Sequence, residues 1–322
     1  MLTHLNKAFI CYALTFAGAV SAQTYPTKPI HLVVTAGPGS SADIIARVVG
    51  DEMGRQIGQT IVIDNRAGAG GNIAAEMVAK AAPDGYTLLM ATISTHGINP
   101  SLYSAMRFDP IKDFAPISMM ASSPNVLMVS SAFPAQSIKE LVALAKSKPG
   151  QVTFASGGSG TSQHLAGEVF ATATGTQLLH VPYKSAPQSM NAVLAGDVNM
   201  SFVSVPVALA QTKSKLANAL GVTSPTSVTM WPDLPTIASQ GLPGFDVSAW
   251  FGLVAPAGTP PAVITKLNTV VRQVMDTPAV KDSLNRQGVE IQTGTPAEFA
   301  SYIRAEITRW AGVVKQSGAK LE

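Results

Sequence analysis

Twice in this chain a short apolar run ends in a glycine-rich turn that opens directly into a helical pattern, and this alternation restricts the chain to an α/β architecture with largely parallel sheets. The first instance is Ile30-His31-Leu32-Val33-Val34, then Gly37-Pro38-Gly39-Ser40-Ser41-Ala42, then a helix predicted from about Ser41 to Met53 with Ile45, Val48, Val49 and Met53 on one face. The second is a strand predicted over Val152 to Ala155, then Ser156-Gly157-Gly158-Ser159-Gly160-Thr161-Ser162, then a helix through Phe170. Both turns have the same physical content. Glycines let the backbone approach a guest closely, and the N–H groups of a helix start, joined by nearby hydroxyls, favour a small anion. Thr161 or Ser162 is positioned to cap the second helix.

Further strands are predicted at Thr60 to Ile63, Thr87 to Ala91, Val126 to Val129, Leu178 to Val181, Val198 to Val203, Leu216 to Val222 and Trp250 to Ala255. Helices are predicted from Asn72 to Ala82, from the Ser137-Ile138-Lys139-Glu140 capping box to about Lys148, and from Tyr183-Lys184-Ser185 to near Gly196. Pro225 to Gly244 holds four prolines and two glycines and reads as a connection. The final helices open at Pro260-Pro261, Thr277-Pro278 and Thr295-Pro296, where Glu298 completes a capping box and Phe299, Ile303, Ile307, Trp310 and Val314 form one apolar stripe. These helices have too few strands for a domain of their own, so they are expected to pack back on the first half. The expected layout is residues 23–124 with 248–322 as one lobe and 125–247 as the other. Two crossing segments, near Ser123 to Val126 and near Val247 to Phe251, would join the lobes as a hinge beside a central cleft.

At the amino terminus, Lys7, the apolar run Ala8 to Val20 and the small residues Val20-Ser21-Ala22 predict a secretory signal peptide over residues 1–22. The run is too short and too interrupted to span a bilayer. Cys11, the single cysteine of the chain, would leave with that peptide, so disulfides and thiol chemistry are not expected. Of the 322 residues 46% are hydrophobic and 13% charged, which excludes intrinsic disorder, and the net charge of +3 comes with no basic run that would track phosphates. A nucleic-acid partner is therefore not expected.

Gly37-Pro38-Gly39-Ser40-Ser41-Ala42 also fits a dinucleotide fingerprint with Asp64 at the end of the next strand, but Pro38 removes a backbone donor and an exported protein lacks a nicotinamide supply. Asp43 reads as a helix-start carboxylate. A hydrolase triad of Ser159 or Ser162, His164 and Asp197 lacks the nucleophile-elbow spacing, and His164 reads as a helix residue bonded locally. His31, His96 and His180 are scattered without metal-ligand spacing. No cofactor and no metal are expected.

Seven stretches in order resemble the substrate-binding proteins of tripartite tricarboxylate transporters, also called Bug-type periplasmic receptors. They are Tyr25-Pro26-Thr27-Lys28-Pro29-Ile30; Asp64-Asn65-Arg66 through Gly68-Ala69-Gly70-Gly71-Asn72; Ala82-Pro83-Asp84-Gly85-Tyr86-Thr87-Leu88-Leu89; and Phe154-Ala155-Ser156 with Gly158, Gly160-Thr161 and His164-Leu165. His180-Val181-Pro182-Tyr183-Lys184, Asp233-Leu234-Pro235-Thr236 with Gly241-Leu242-Pro243-Gly244-Phe245, and Ala255-Pro256-Ala257-Gly258-Thr259-Pro260 complete the series. The resemblance implies a two-lobed periplasmic-binding fold of type II. A small carboxylate would be held in the cleft by Gly37, Gly39, Ser40, Ser41, Thr92, Ser156, Gly158, Ser159, Gly160, Thr161 and Ser162. It also implies a non-enzymatic monomer that delivers its ligand to membrane transporter subunits from the periplasm. A receptor serving a signalling partner and a secreted hydrolase are the alternatives. The chain departs from the family pattern in Thr35-Ala36-Gly37-Pro38-Gly39-Ser40, where an aromatic is lost and hydroxyls are gained, and in Arg66-Ala67-Gly68 and Lys184-Ser185.

Overall fold

The computed structural model describes residues 25–183 and 186–317, so the expected signal peptide and Lys184-Ser185 lie outside the described residues. The first half runs β1 (Ile30–Val34), α1 (Ser41–Ile57), β2 (Ile61–Asn65), α2 (Asn72–Ala79), β3 (Thr87–Thr92) and the four-residue α3 (Asn99–Leu102). A long strand β4 (Phe114–Ser130) then leads to α4 (Ile138–Ser147), β5 (Val152–Ser156), α5 (Ser162–Thr174), β6 (Leu178–Pro182) and α6 (Ala186–Ala195). After these come β7 (Met200–Ser204), α7 (Val205–Lys213), β8 (Ala217–Val222) and β9 (Ser248–Pro256). The chain closes with α8 (Pro261–Asp276), α9 (Pro278–Asn285), the short β10 (Glu290–Ile291) and α10 (Pro296–Ser317).

Local chemistry sets these boundaries. Ser40 accepts from the Asp43 N–H at the start of α1, and the left-handed Gly58 ends that helix. Thr295 and Glu298 bond each other reciprocally at the start of α10, so the predicted capping box is present. The stripe it introduces is buried at Phe299, Ile303, Trp310 and Val314, with Ile307 packed against the same core.

The strand order is β2-β1-β3-β9-β4-β7-β5-β6, with β8 and β10 also pairing β4. The flanks are parallel, β1 with β2 and β3 and β5 with β6 and β7, as the strand–turn–helix alternation requires. The centre departs from the expected parallel pattern: β9 runs antiparallel to both β3 and β4, and β4 antiparallel to β7 and β8. The mixed sheet follows from β4 and β9 traversing the middle of the molecule in opposite senses. They pair from Phe114↔Pro256 to Pro124↔Ser248, beyond which β4 continues alone to β7 and β8.

The strand at Phe114–Ser123 was not expected, because Pro116 and Pro124 argue against a central strand. The register shifts beside Pro116 and again before Ala121 show how the ladder accommodates the break. The sequence pattern marks no regular element between Ala91 and Val126, yet Ser94–Ile98 forms a π-type turn and α3 follows.

Trp250 of β9 and Trp310 of α10 are fully buried, and both indole N–H groups donate to Oε2 of the buried Glu306 at 2.9 Å. The carboxylate is thus satisfied where an unpaired one would be costly. It fastens α10 to β9. Among the described residues no helix is long and apolar enough to cross a membrane.

Candidate ligand-binding site

Both glycine turns stand at the carboxyl ends of parallel strands, β1 and β5, and each feeds the start of a helix. In the first, Gly39 takes a φ of +79° and its N–H donates to Oδ2 of Asp43 at 2.8 Å. Burial raises the Asp43 carboxyl, but hydrogen bonds from Arg47 and from the Gly39 N–H hold it below the usual carboxylate range. Asp43 therefore shapes the turn from within, as a helix-start carboxylate should. Ser40 is committed to capping, whereas the Ser41 hydroxyl makes no hydrogen bond among the described residues.

The second turn is built in the same way from different groups. Gly158 and Gly160 take φ values of +133° and +78°. Thr161, the actual cap of α5, accepts from the His164 N–H and donates to the Gly158 carbonyl at 2.8 Å. Ser156 is fully buried; its hydroxyl donates to the Gly158 carbonyl and lies 2.7 Å from Nε2 of His180. The Gly160 N–H donates to Nδ1 of His164 at 3.2 Å. Ser159 keeps its hydroxyl unbonded among the described residues.

Of the predicted residues, then, Ser40, Ser156 and Thr161 hold the turns in shape, while Ser41 and Ser159 retain unspent hydroxyls. Ser162 accepts from Nδ2 of Asn125 at 3.2 Å. Thr92 is buried, and its N–H donates to Oγ1 of Thr95. Gly37 has open space where a side chain would stand. The two turns share no hydrogen bond among the described residues, but a side chain at Gly160 would meet Leu102 of α3 at 3.1 Å, so the second turn lies against the segment that follows Thr92.

The structure dismantles the triad. His164 faces Glu168 at 3.5 Å, the Ser162 hydroxyl is engaged by Asn125, and the Asp197 backbone N–H closes the end of α6 on Ala192. Asp64 pairs with Arg66 at 3.0 Å. No group of three potential metal ligands occurs among the described residues.

Sequence spacing missed what long-range packing assembles. His164 and His180 stack with ring centroids 4.0 Å apart, and Phe154 of β5 lies 4.8 Å from His180 and 6.3 Å from His164. Burial first, and then the neighbouring His164, push the His180 imidazole down to about 4. On the other flank His96 is fully buried, 4.7 Å from Phe114, with Nδ1 2.9 Å from Oγ1 of Thr95. Burial depresses it to about 3.

A histidine whose folded value lies below its unfolded value of 6.5 binds its proton only in the unfolded chain between those limits, so stability is lost as the pH falls below 6.5. For His96 the slope reaches about 1.4 kcal/mol per pH unit. Lowering the pH from 7 to 5 is expected to cost about 2 kcal/mol through this residue. His96→Leu should flatten the denaturation midpoint over that range, and an unchanged pH profile would contradict the assignment.

The chain matches the family described as Tripartite tricarboxylate transporter family receptor over residues 45–319. It is 37% identical over 307 residues to Protein BugT of Bordetella pertussis, covering 95% of this chain and 94% of that protein. Among solved structures, Rhodopseudomonas palustris Rpa4515 with adipate superposes with a TM-score of 0.83 at 34% identity, covering 92% of this chain and all of the other. MatC of the same organism with bound malate gives 0.79 at 30% identity, covering 90% of this chain and 100% of that one. The two-lobed α/β fold expected from the sequence is the fold of these proteins, which are solute-binding proteins and not enzymes. The chain belongs to the tripartite tricarboxylate transporter receptor family.

Proposed function

We propose that the protein captures a small carboxylate in the cleft between residues 23–124 with 248–322 and residues 125–247, and delivers it from the periplasm to a tripartite tricarboxylate-type membrane transporter. The observation that carries this reading is the pair of glycine turns at the starts of α1 and α5, each offering helix-start N–H groups and an unspent hydroxyl, Ser41 or Ser159, to an anion. The adipate and malate held by the R. palustris relatives support an acid as the guest. Hydrogen bonds to a charged group contribute about 1.5 to 3 kcal/mol each, so four donors offset the cost of ordering and leave on the order of micromolar capture.

An acid that bridges the turns binds the closed arrangement better and shifts the hinge toward it. A thermal-shift panel of aliphatic and aromatic acids, adipate and malate included, tests the reading. The matching acid at about 100 times its dissociation constant should stabilise the protein by about 2.7 kcal/mol. A panel without any shift, or turnover of ester substrates, would overturn it.

A further inference from the structure

Where β4 parts from β9, a single buried threonine joins the two segments. The Thr223 N–H donates to the Asn125 carbonyl at 2.8 Å and the Thr223 carbonyl accepts from the Val247 N–H at 3.0 Å. Its hydroxyl accepts from the Asn125 N–H at 2.9 Å and donates to the Val247 carbonyl at 2.8 Å. Thr223 has no exposed surface, and all four bonds fall on backbone groups of the two segments that cross the molecule. Asn125 extends the arrangement toward the second glycine turn. Its side-chain amide donates to the hydroxyl of Ser162, the first residue of α5, two residues beyond Gly160.

A continuous chain of hydrogen bonds therefore runs from the helix start that frames the second turn, through Asn125 and Thr223, to Val247 just before β9. Its members lie far apart in sequence, 37 residues between Asn125 and Ser162 and 98 between Asn125 and Thr223. Buried polar networks of this kind hold one arrangement firmly, because breaking one bond leaves a desolvated group unpaired. We propose that Asn125 is a positioning residue that couples the Ser162 end of the ligand turn to the Thr223 junction between the crossing segments. Ordering of the turn by a carboxylate then tightens the hinge. This inference rests on the reading above for its ligand, but the coupling itself is a property of the protein without one.

Coupling is reciprocal, so a change at either end must be felt at the other. Amide hydrogen exchange on the unliganded protein reads this directly. Ser162→Ala and Asn125→Ala should each speed exchange at the Thr223 and Val247 amides about fivefold, the effect of one lost hydrogen bond. Thr223→Val should speed exchange at Leu165 and Ala166 in α5, and Thr223→Ser, which keeps the hydroxyl, should restore the wild-type rates. Exchange at Thr223 and Val247 that stays at the wild-type rate in Ser162→Ala would overturn the proposal, as would a Thr223→Val effect confined to its immediate neighbours. Failure of the carboxylate reading appears separately, as a panel without thermal shifts.

Discussion

Gly158→Leu is expected to abolish carboxylate binding, with a loss of at least about a hundredfold in calorimetric titration and a fold that stays intact by circular dichroism. Gly158 holds a φ of +133°, which residues with a side chain rarely adopt, so leucine strains the turn that presents the helix-start donors. A Cβ at this position meets only the Tyr183 carbonyl at 3.7 Å and the Thr161 methyl at 3.9 Å, both ordinary contacts, so no collision at the Cβ opposes the change. The cost is therefore expected to come from the backbone of the turn, and through it from the presentation of donors to the anion. Losing two charge-assisted hydrogen bonds removes about 3 to 6 kcal/mol, more than a hundredfold in affinity. Titration heats equal to those of the wild type would place the acid somewhere other than this turn.

Gly167→Ala carries the largest expected cost to stability, about 3 kcal/mol. The added methyl would stand 2.2, 2.4 and 2.6 Å from three atoms of the Phe154 ring, a side chain with no exposed surface in a close-packed interior. Phe154 is fully buried in β5 and stacks on His180, which in turn stacks on His164. Displacing the ring therefore disturbs His180, which is hydrogen-bonded to the Ser156 hydroxyl, and His164, which accepts the Gly160 N–H. Thermal denaturation should show a midpoint lower by on the order of 5 °C or more, accompanied by weakened acid binding. A variant as stable as the wild type would mean that α5 lies farther from β5 than described.

The same residues show what could be read from the chain alone. The strand–turn–helix alternation was legible because its determinants are local: apolar runs, helix caps such as Ser137, Thr161 and Thr295, and glycines at forced backbone angles. The long β4 was not, because Pro116 and Pro124 locally oppose a strand that its pairing with β9 nonetheless imposes. The turn at Ser94–Ile98 escaped for a similar reason: Thr95 and His96 are ordinary loop residues until Thr92 and Phe114 surround them.

Within the candidate site, the types of residue expected at the turns were local and therefore readable. Their division of labour was not, since it depends on which hydroxyl is engaged by a partner elsewhere in the chain. Ser156 answers to His180, and Ser162 to Asn125. Asn125 and Thr223 carried no signal at all in sequence, because a polar residue in a strand acquires meaning only from what it bonds.

The structure of a complex with the acid that gives the largest thermal shift tests the central claim most directly. The account predicts its carboxylate oxygens within hydrogen-bond distance of donors from both the Gly37–Ser41 turn and the Ser156–Ser162 turn, directly or through bridging waters. An acid bound instead in the open depression of about 650 Å³ lined by Tyr183, Gln188, Asn191 and Asp197, with both turns unoccupied, would contradict it.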